Sequence, residues 1–260
     1  MNQNRICNFL NGNIIHPFIL NNYDKTKNGR KIASLKNLYI GKRCFFVGNG
    51  PSLSINDLDK LRDNKEISFG FNRIYKIFDK TDWRPTFYIS QDEKILFGSI
   101  QEVNKICIPY KFIPIQMKWY FGLKIDKATY FNLTYQKDSS YKFSFDSAKQ
   151  IYSAETCMYS AFQFAIFMGF KDIYFIGVDH HFHRSVNNKG EIVIDNNVAD
   201  YFCDSYNFDK NNLYIPNIEK STKVYEKIKE IAADNKIRVR NATRGGKLEV
   251  FQRINFDDLF

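Results

Sequence analysis

The sequence predicts an α/β protein: a mostly parallel sheet with helices on both faces and a small lid inserted near residues 183–215. Three observations lead there. Short β-rich runs recur between residues 44 and 239, helical patterns lie between several of them, and polar residues gather where the strands end.

The 260 residues, 44% hydrophobic and 17% aromatic, supply enough apolar surface for one core. Residues 1–40 are irregular and read as a basic N-terminal arm, with the folded domain over 41–260. Strands are expected at 44–47, 67–71, 86–90, 106–109, 129–133, 173–178 and 237–239. The pattern over Ser153 to Met168 is apolar nearly all round, as in a helix packed between layers, and stops at Gly169, a natural C-cap. A second helix begins near Ser221, with Val224, Ile228 and Ile231 along one face. SLSINDLDKL, after the first strand, reads as a third, for which Ser52 is the expected cap. From His183 to Ile215 the chain is polar, rich in Asn and Asp and without periodicity, which marks the lid.

Composition narrows the function classes. No run approaches 18 apolar residues and the N-terminus lacks signal-peptide character, so the expected location is cytoplasmic, with contact at the inner membrane face through the basic arm. The five cysteines are scattered without a CxxC pair and read as reduced core thiols, so the two Asn-x-Ser/Thr matches carry no glycan. A net charge of +10 favours a phosphorylated substrate, a polyanion or an anionic membrane. Nucleic acid is not expected, because no recognition motif accompanies the charge.

In open α/β sheets ligands bind where strand carboxyl ends diverge. Gly48-Asn49-Gly50-Pro51-Ser52 follows the first strand and suits an anion or nucleotide cradle, the glycines allowing close backbone approach. Asn72 follows the second strand and Asp92 the third. Asp179 follows the strand at 173–178, directly before His180, His181 and His183. In an extended segment His181 and His183 share a face and His180 lies opposite. Acid-base or phosphate-binding work suits these histidines, and no metal-ligand spacing is matched. Arg244 and Lys247, beside Gly245 and Gly246, suit closure over a phosphate.

FFVGNGPSL, FGFNRIY, PTFYISQDE, MGFKDIYFIGVDHHF and NATRGGKLEVF together resemble bacterial proteins of the DUF115 type, 6-hydroxymethylpterin diphosphokinase-like, over roughly residues 40 to 260. GNGPSL, the Asn72 segment and Thr156 to Asp179 are more distantly similar to the bacterial sialyltransferases of glycosyltransferase family 42. The resemblance implies a Rossmann-like, nucleotide-binding catalytic domain over 41–260. It places Asn49, Gly50 and Ser52 at the donor phosphate and ribose, Asn72 near the nucleotide, and Thr156 with Cys157 at the head of the long helix; Pro51, in the same turn, and Asp92, at its strand end, complete the expected nucleotide-binding set. Cys157 stands where the sialyltransferases have serine, His181 where they have a tyrosine that serves the leaving phosphate, and Asn217 near their base histidine.

Two activities follow as expectations. The first is transfer of a sugar, a nonulosonic acid from a CMP-sugar donor, to a glycan or lipid-linked acceptor of the cell surface without a required cofactor, with Asp179, His180, His181 and His183 as catalytic candidates. The alternative is diphosphoryl transfer from ATP to 6-hydroxymethylpterin or a similar alcohol, with Mg²⁺ on Asp92 and Asp179.

Overall fold

Short apolar strands ending in glycine or a polar residue build the sheet; the computed structural model describes residues 11–136, 140–187, 189–207 and 213–260. The strands are β1 (Arg43–Val47), β2 (Ile67–Phe71), β3 (Phe87–Ile89), β4 (Tyr110–Pro114), β5 (Ala128–Phe131), β6 (Leu133–Thr134), β7 (Ile151–Tyr152), β8 (Asp172–Ile176), β9 (Arg184–Val186), β10 (Ile192–Ile194), β11 (Arg238–Asn241) and β12 (Gln252–Arg253). Among them run α1 (His16–Asn21), α2 (Lys27–Ala33), α3 (Ile55–Asp63), α4 (Glu93–Phe97), α5 (Ile100–Lys105), α6 (Ile115–Tyr120), α7 (Cys157–Met168) and α8 (Ile218–Asp234). Eight strands form one sheet in the order β12-β11-β8-β1-β2-β3-β4-β5, with every pairing parallel. The chain lays β1 to β5 outward in one direction, then returns to place β8, β11 and β12 on the other side of β1. The switch point therefore lies between β1 and β8. This is the Rossmann-like α/β architecture the sequence predicts.

Register explains much of the phenylalanine content. Phe175, Phe46, Phe69, Phe87 and Tyr110 are successive partners across five adjacent strands, with neighbouring ring centroids 4.6–5.5 Å apart. Such pairs contribute about 0.5–1.5 kcal/mol each beyond their burial. α7, ten of whose residues are buried, covers this face, with Phe164 stacked 4.4 Å from Phe112. Phe45 points the other way and packs on Phe256 and Phe260.

Local differences from the sequence reading have physical causes. The expected strand at 106–109 is the approach to β4, because Lys111 sits inside the buried strand and breaks its apolar pattern; its ammonium donates to the Val103 carbonyl at 3.2 Å. The run 129–133 splits at Asn132, whose amide donates to the carbonyls of Leu20 and Lys149. Ser54, and not Ser52, caps α3, accepting from Asp57 N. Residues 23–40 are no loose arm: Thr26 caps α2, Tyr23, Ile32 and Leu35 are buried in the core, and the Asn37 and Tyr39 amides donate to Phe167 and Met168 at the end of α7. The segment 183–215 contains the β9–β10 hairpin and a 3₁₀ turn at Asp204–Asn207, with residues 188 and 208–212 outside the described residues. Among the described residues no helix is long and apolar enough to cross a membrane.

Gly169 ends α7 at φ +95°, and a Cβ there would stand 2.8 Å from the Ile40 side chain and 3.2 Å from the Asn37 backbone. Gly169→Ala is expected to cost about 1–2 kcal/mol or more in urea denaturation. Ligand-induced shifts in melting temperature should be unchanged, since the cap lies at the end of α7 away from the cleft.

Candidate functional site

The loops after β1 and β8 meet at the switch point. Gly48 N and Gly50 N donate to the carbonyls of Ile176 and Gly177, both at 2.8 Å. A Cβ on Gly48 would lie 2.3 Å from the Gly177 oxygen, and one on Gly50 would lie 1.9 Å from Asp179 Oδ2. Ser52 donates to that same oxygen from Oγ at 2.7 Å and from N at 3.3 Å. The glycines thus admit the carboxylate of Asp179, an internal anion, into the turn that the sequence reading gives to a ligand phosphate. Burial raises the Asp179 pKa, opposed in part by the Ser52 hydrogen bonds.

In front of this junction opens a cleft of about 620 Å³. Its wall includes Asn49, Gly50, Asn72, Asp92, Thr156, Cys157, Asp179, His180 and His181, so most of the sequence candidates converge on one hollow. Three do not line it. Pro51 is exposed outside, Ser52 stands behind Asp179, and His183 serves the lid, its N–H donating to Asp200 Oδ1 and its Nδ1 lying 2.9 Å from the Asp195 carbonyl.

Three amide side chains in the wall are oriented from behind. Asn49 Nδ2 donates to the Phe71 carbonyl at 3.1 Å, which leaves Oδ1 buried without a partner among the described residues. Asn72 sits at φ +50°, its carbonyl accepting from the Tyr88 hydroxyl at 2.6 Å; Ser90 Oγ donates to its Oδ1, so Nδ2 remains for the cleft. Gln91 accepts at Oε1 from the buried Ser160 hydroxyl at 2.7 Å, leaving Nε2. Gln91 was missed in sequence, where it is one residue from the conspicuous Asp92.

Two long helices begin at the cleft. Thr156 caps α7 and Asn217 caps α8, accepting from Met158 N and Lys220 N, and both caps line the wall. Unpaired N–H groups at such ends favour an anion. Burial pushes the Cys157 thiol up to about 12, so it is a neutral group and no nucleophile at pH 7. Asp92 caps α4 through Oδ1, and burial raises its pKa. Asp92 and Asp179 each keep one carboxylate oxygen outside these bonds. Among the described residues no cluster of three or more His, Cys, Asp or Glu side chains is arranged to hold a metal ion.

The histidines separate into different roles. Thr222 donates its hydroxyl hydrogen to the Ile218 carbonyl, so His180 Nε2, 2.8 Å away, is the donor to Thr222 Oγ1, which assigns the tautomer. Burial lowers the His180 pKa to about 4. His181 turns the other way: its Nε2 lies 3.1 Å from Asp195 Oδ2 and 3.4 Å from Lys247 Nζ. Asp195 was invisible in sequence, because a carboxylate among the polar residues of a lid carries no local signal. Arg244 is already paired with the buried Asp57 and with Asp257, and is not at the cleft.

Residues 18–185 match the family described as "6-hydroxymethylpterin diphosphokinase MptE-like". No curated protein matches. Among solved structures the chain is similar to that of the Maf glycosyltransferase from Magnetospirillum magneticum AMB-1, at 14% identity and a TM-score of 0.49, over 90% of this chain and 38% of that one. The chain thus spans little more than a third of that protein.

Between pH 6.5, the ordinary histidine value, and about 4, the unfolded chain binds a proton that folded His180 refuses. Stability therefore drops as pH falls through this window, by about 3 kcal/mol at most from this residue. The raised carboxylates Asp92 and Asp179 act with the opposite sign. His180→Gln should flatten the fall in melting temperature from pH 6.5 to 4; an unchanged slope would show that His180 is charged in the fold.

Proposed function

The chain belongs to the MptE-like family, and from that premise and the cleft we propose that it is a transferase using a pyrimidine-nucleotide-activated sugar, a CMP-sugar, with a hydroxyl of a glycan or lipid-linked glycan as acceptor. The observation that carries this reading is the set of fixed amides: one acceptor, Asn49 Oδ1, and two donors, Asn72 Nδ2 and Gln91 Nε2. Cytosine and uracil each complement one acceptor and two donors, whereas guanine and pterin, with one acceptor and two donors of their own, need the reverse. The orphaned Asn49 Oδ1 costs about 1–3 kcal/mol while unpaired, and a ligand donor group relieves that cost once a small turn of the side chain exposes the buried oxygen to the cleft.

The chemistry follows from what faces the cleft. His181, its Nε2–H held by Asp195, takes the acceptor hydroxyl proton at Nδ1. The acceptor oxygen bonds to the anomeric carbon as the bond from that carbon to the phosphate oxygen breaks, and the electron pair leaves with the nucleotide. The N-termini of α7 and α8, with Lys220 in the first turn of α8, stabilise the charge on the departing phosphate. His180 is unsuited as base, since it stays neutral to about pH 4 and spends its one N–H on Thr222. Diphosphoryl transfer, the activity in the family description, would place a divalent cation on the remaining oxygens of Asp92 and Asp179.

Thermal shift separates the two activities. CMP at a hundredfold excess over its Kd is expected to add about 2.7 kcal/mol of stability, and more than ATP with Mg²⁺ at the same concentration. The gain should shrink in Asn49→Ala; a larger shift with ATP and Mg²⁺ than with CMP overturns the reading in favour of diphosphoryl transfer.

In single-turnover assays over a panel of CMP-sugars, His181→Ala should lower the rate about 10²- to 10⁴-fold. Asp195→Asn should lower it less and move the alkaline-rising limb of the pH profile. Unaltered rates in both variants would remove His181 from the role of base.

A further inference from the structure

We propose that the face formed by α1 and the ends of α4 and α6 docks on an anionic lipid bilayer, bringing the mouth of the cleft close to the membrane. α1 packs Ile19 and Leu20 on the core, yet none of its residues is buried, and its other side holds Phe18 in solvent at 69% exposure, with Ile14 and Ile15 beside it. His16 stacks on Trp119 at 4.1 Å and meets the edge of Tyr120. Tyr120 and Phe121 are exposed at the end of α6, and Phe121 contacts Phe97, also exposed, at the end of α4. Six large apolar side chains are thus gathered, three on α1 and the turn before it and three at the ends of α4 and α6, the helices that follow β3 and β4. Glu93 and Ile95 of α4 themselves line that cleft.

The occupant is identified by charge. Residues 14–42 contain six Lys or Arg and one acid, Asp24. Lys25, just beyond α1, Lys118 within α6 and Lys124 beyond it are exposed, and none has a carboxylate partner among the described residues. Aromatic rings ringed by lysines match the headgroup zone of an anionic membrane, where the rings enter the interface and each lysine adds electrostatic attraction. A second copy is the poorer fit, because two molecules of net charge +10 would bring like-charged rims together. The proposal does not depend on the transferase reading, since its readout is binding and not turnover.

The test uses the full chain and vesicles of phosphatidylcholine alone or mixed with phosphatidylglycerol. Expected are co-sedimentation with the mixed vesicles only, weakening with salt, and quenching of Trp119 by brominated acyl chains while buried Trp83 stays unquenched. Phe18→Asp, at an exposed position that leaves the fold intact, should weaken binding at least about tenfold. Tyr120→Asp is the independent second variant, and Lys118→Glu with Lys124→Glu should abolish the preference for phosphatidylglycerol. Absence of binding to mixed vesicles overturns the proposal, as does unchanged binding by both Phe18→Asp and Tyr120→Asp. Self-association in sedimentation velocity that Phe18→Asp abolishes would assign the face to a second copy instead.

Discussion

The carboxylate of Asp179 is the constraint on which the site depends. It fills the turn after β1, against Gly50 and the Ser52 hydroxyl, while its own carbonyl accepts from Lys247 N at 2.7 Å. Gly246, at φ +72°, approaches within 2.8 Å of the Asp179 Cα by the same Cβ measure. Loops from β1, β8 and the strand beyond β8 are thereby tied to one residue. Burying that carboxylate without these donors would cost several kcal/mol, so the loops are held where the charge is satisfied. The floor of the cleft is set before any ligand arrives.

Beneath that junction the aromatic row makes the floor stiff. Because the sheet is parallel and in register, Phe175, Phe46, Phe69 and Phe87 lie side by side, the first three meeting edge to face and the last two stacked, and α7 presses on the same face. A slip of one residue in any strand would turn its ring to the other face and move its terminal polar residue with it. The packing of the core and the aim of Asn49, Asn72 and Gln91 are consequently one specification, written in strand register.

This also explains what was legible in the sequence. Strand ends could be read because an apolar run stopped by Gly-Asn-Gly or Asn is a local signal, and Gly169 marked the end of α7 for the same reason. Partner choice across long separations could not. Ser52 and Asp179 are 127 residues apart, Arg244 and Asp57 187 apart, so a turn that reads as a phosphate cradle proved to be filled from within, and an arginine that reads as a phosphate clamp proved to be paired. Lys111 hid β4 because a buried lysine violates the pattern on which strand reading rests. Nothing in the sequence assigned separate tasks to the three histidines; their neighbours do so, Thr222 for His180, the Asp195 carboxylate for His181, and the Asp195 carbonyl with Asp200 for His183.

The two halves of the cleft are built on different principles. One side comes from strand ends and helix heads of the rigid sheet, whereas Asp195, behind the proposed base, belongs to the lid. Among the links that fasten the lid, Phe202 N donates to the Asn49 carbonyl at 3.0 Å, the Tyr214 hydroxyl donates to Glu93, and Arg73, fully buried, donates to the Tyr206 carbonyl at 2.6 Å and to Ser99 Oγ at 3.2 Å. A buried guanidinium is stable only while its acceptors remain, which makes the lid's position conditional on its contacts with β2. Two of these links arise at the amides of the cleft wall, from Asn49 itself and from the neighbour of Asn72. On the proposed reading, the same short segments that grip the donor also carry the lid that completes the base, so donor binding and assembly of the acceptor side share one set of covalently adjacent residues.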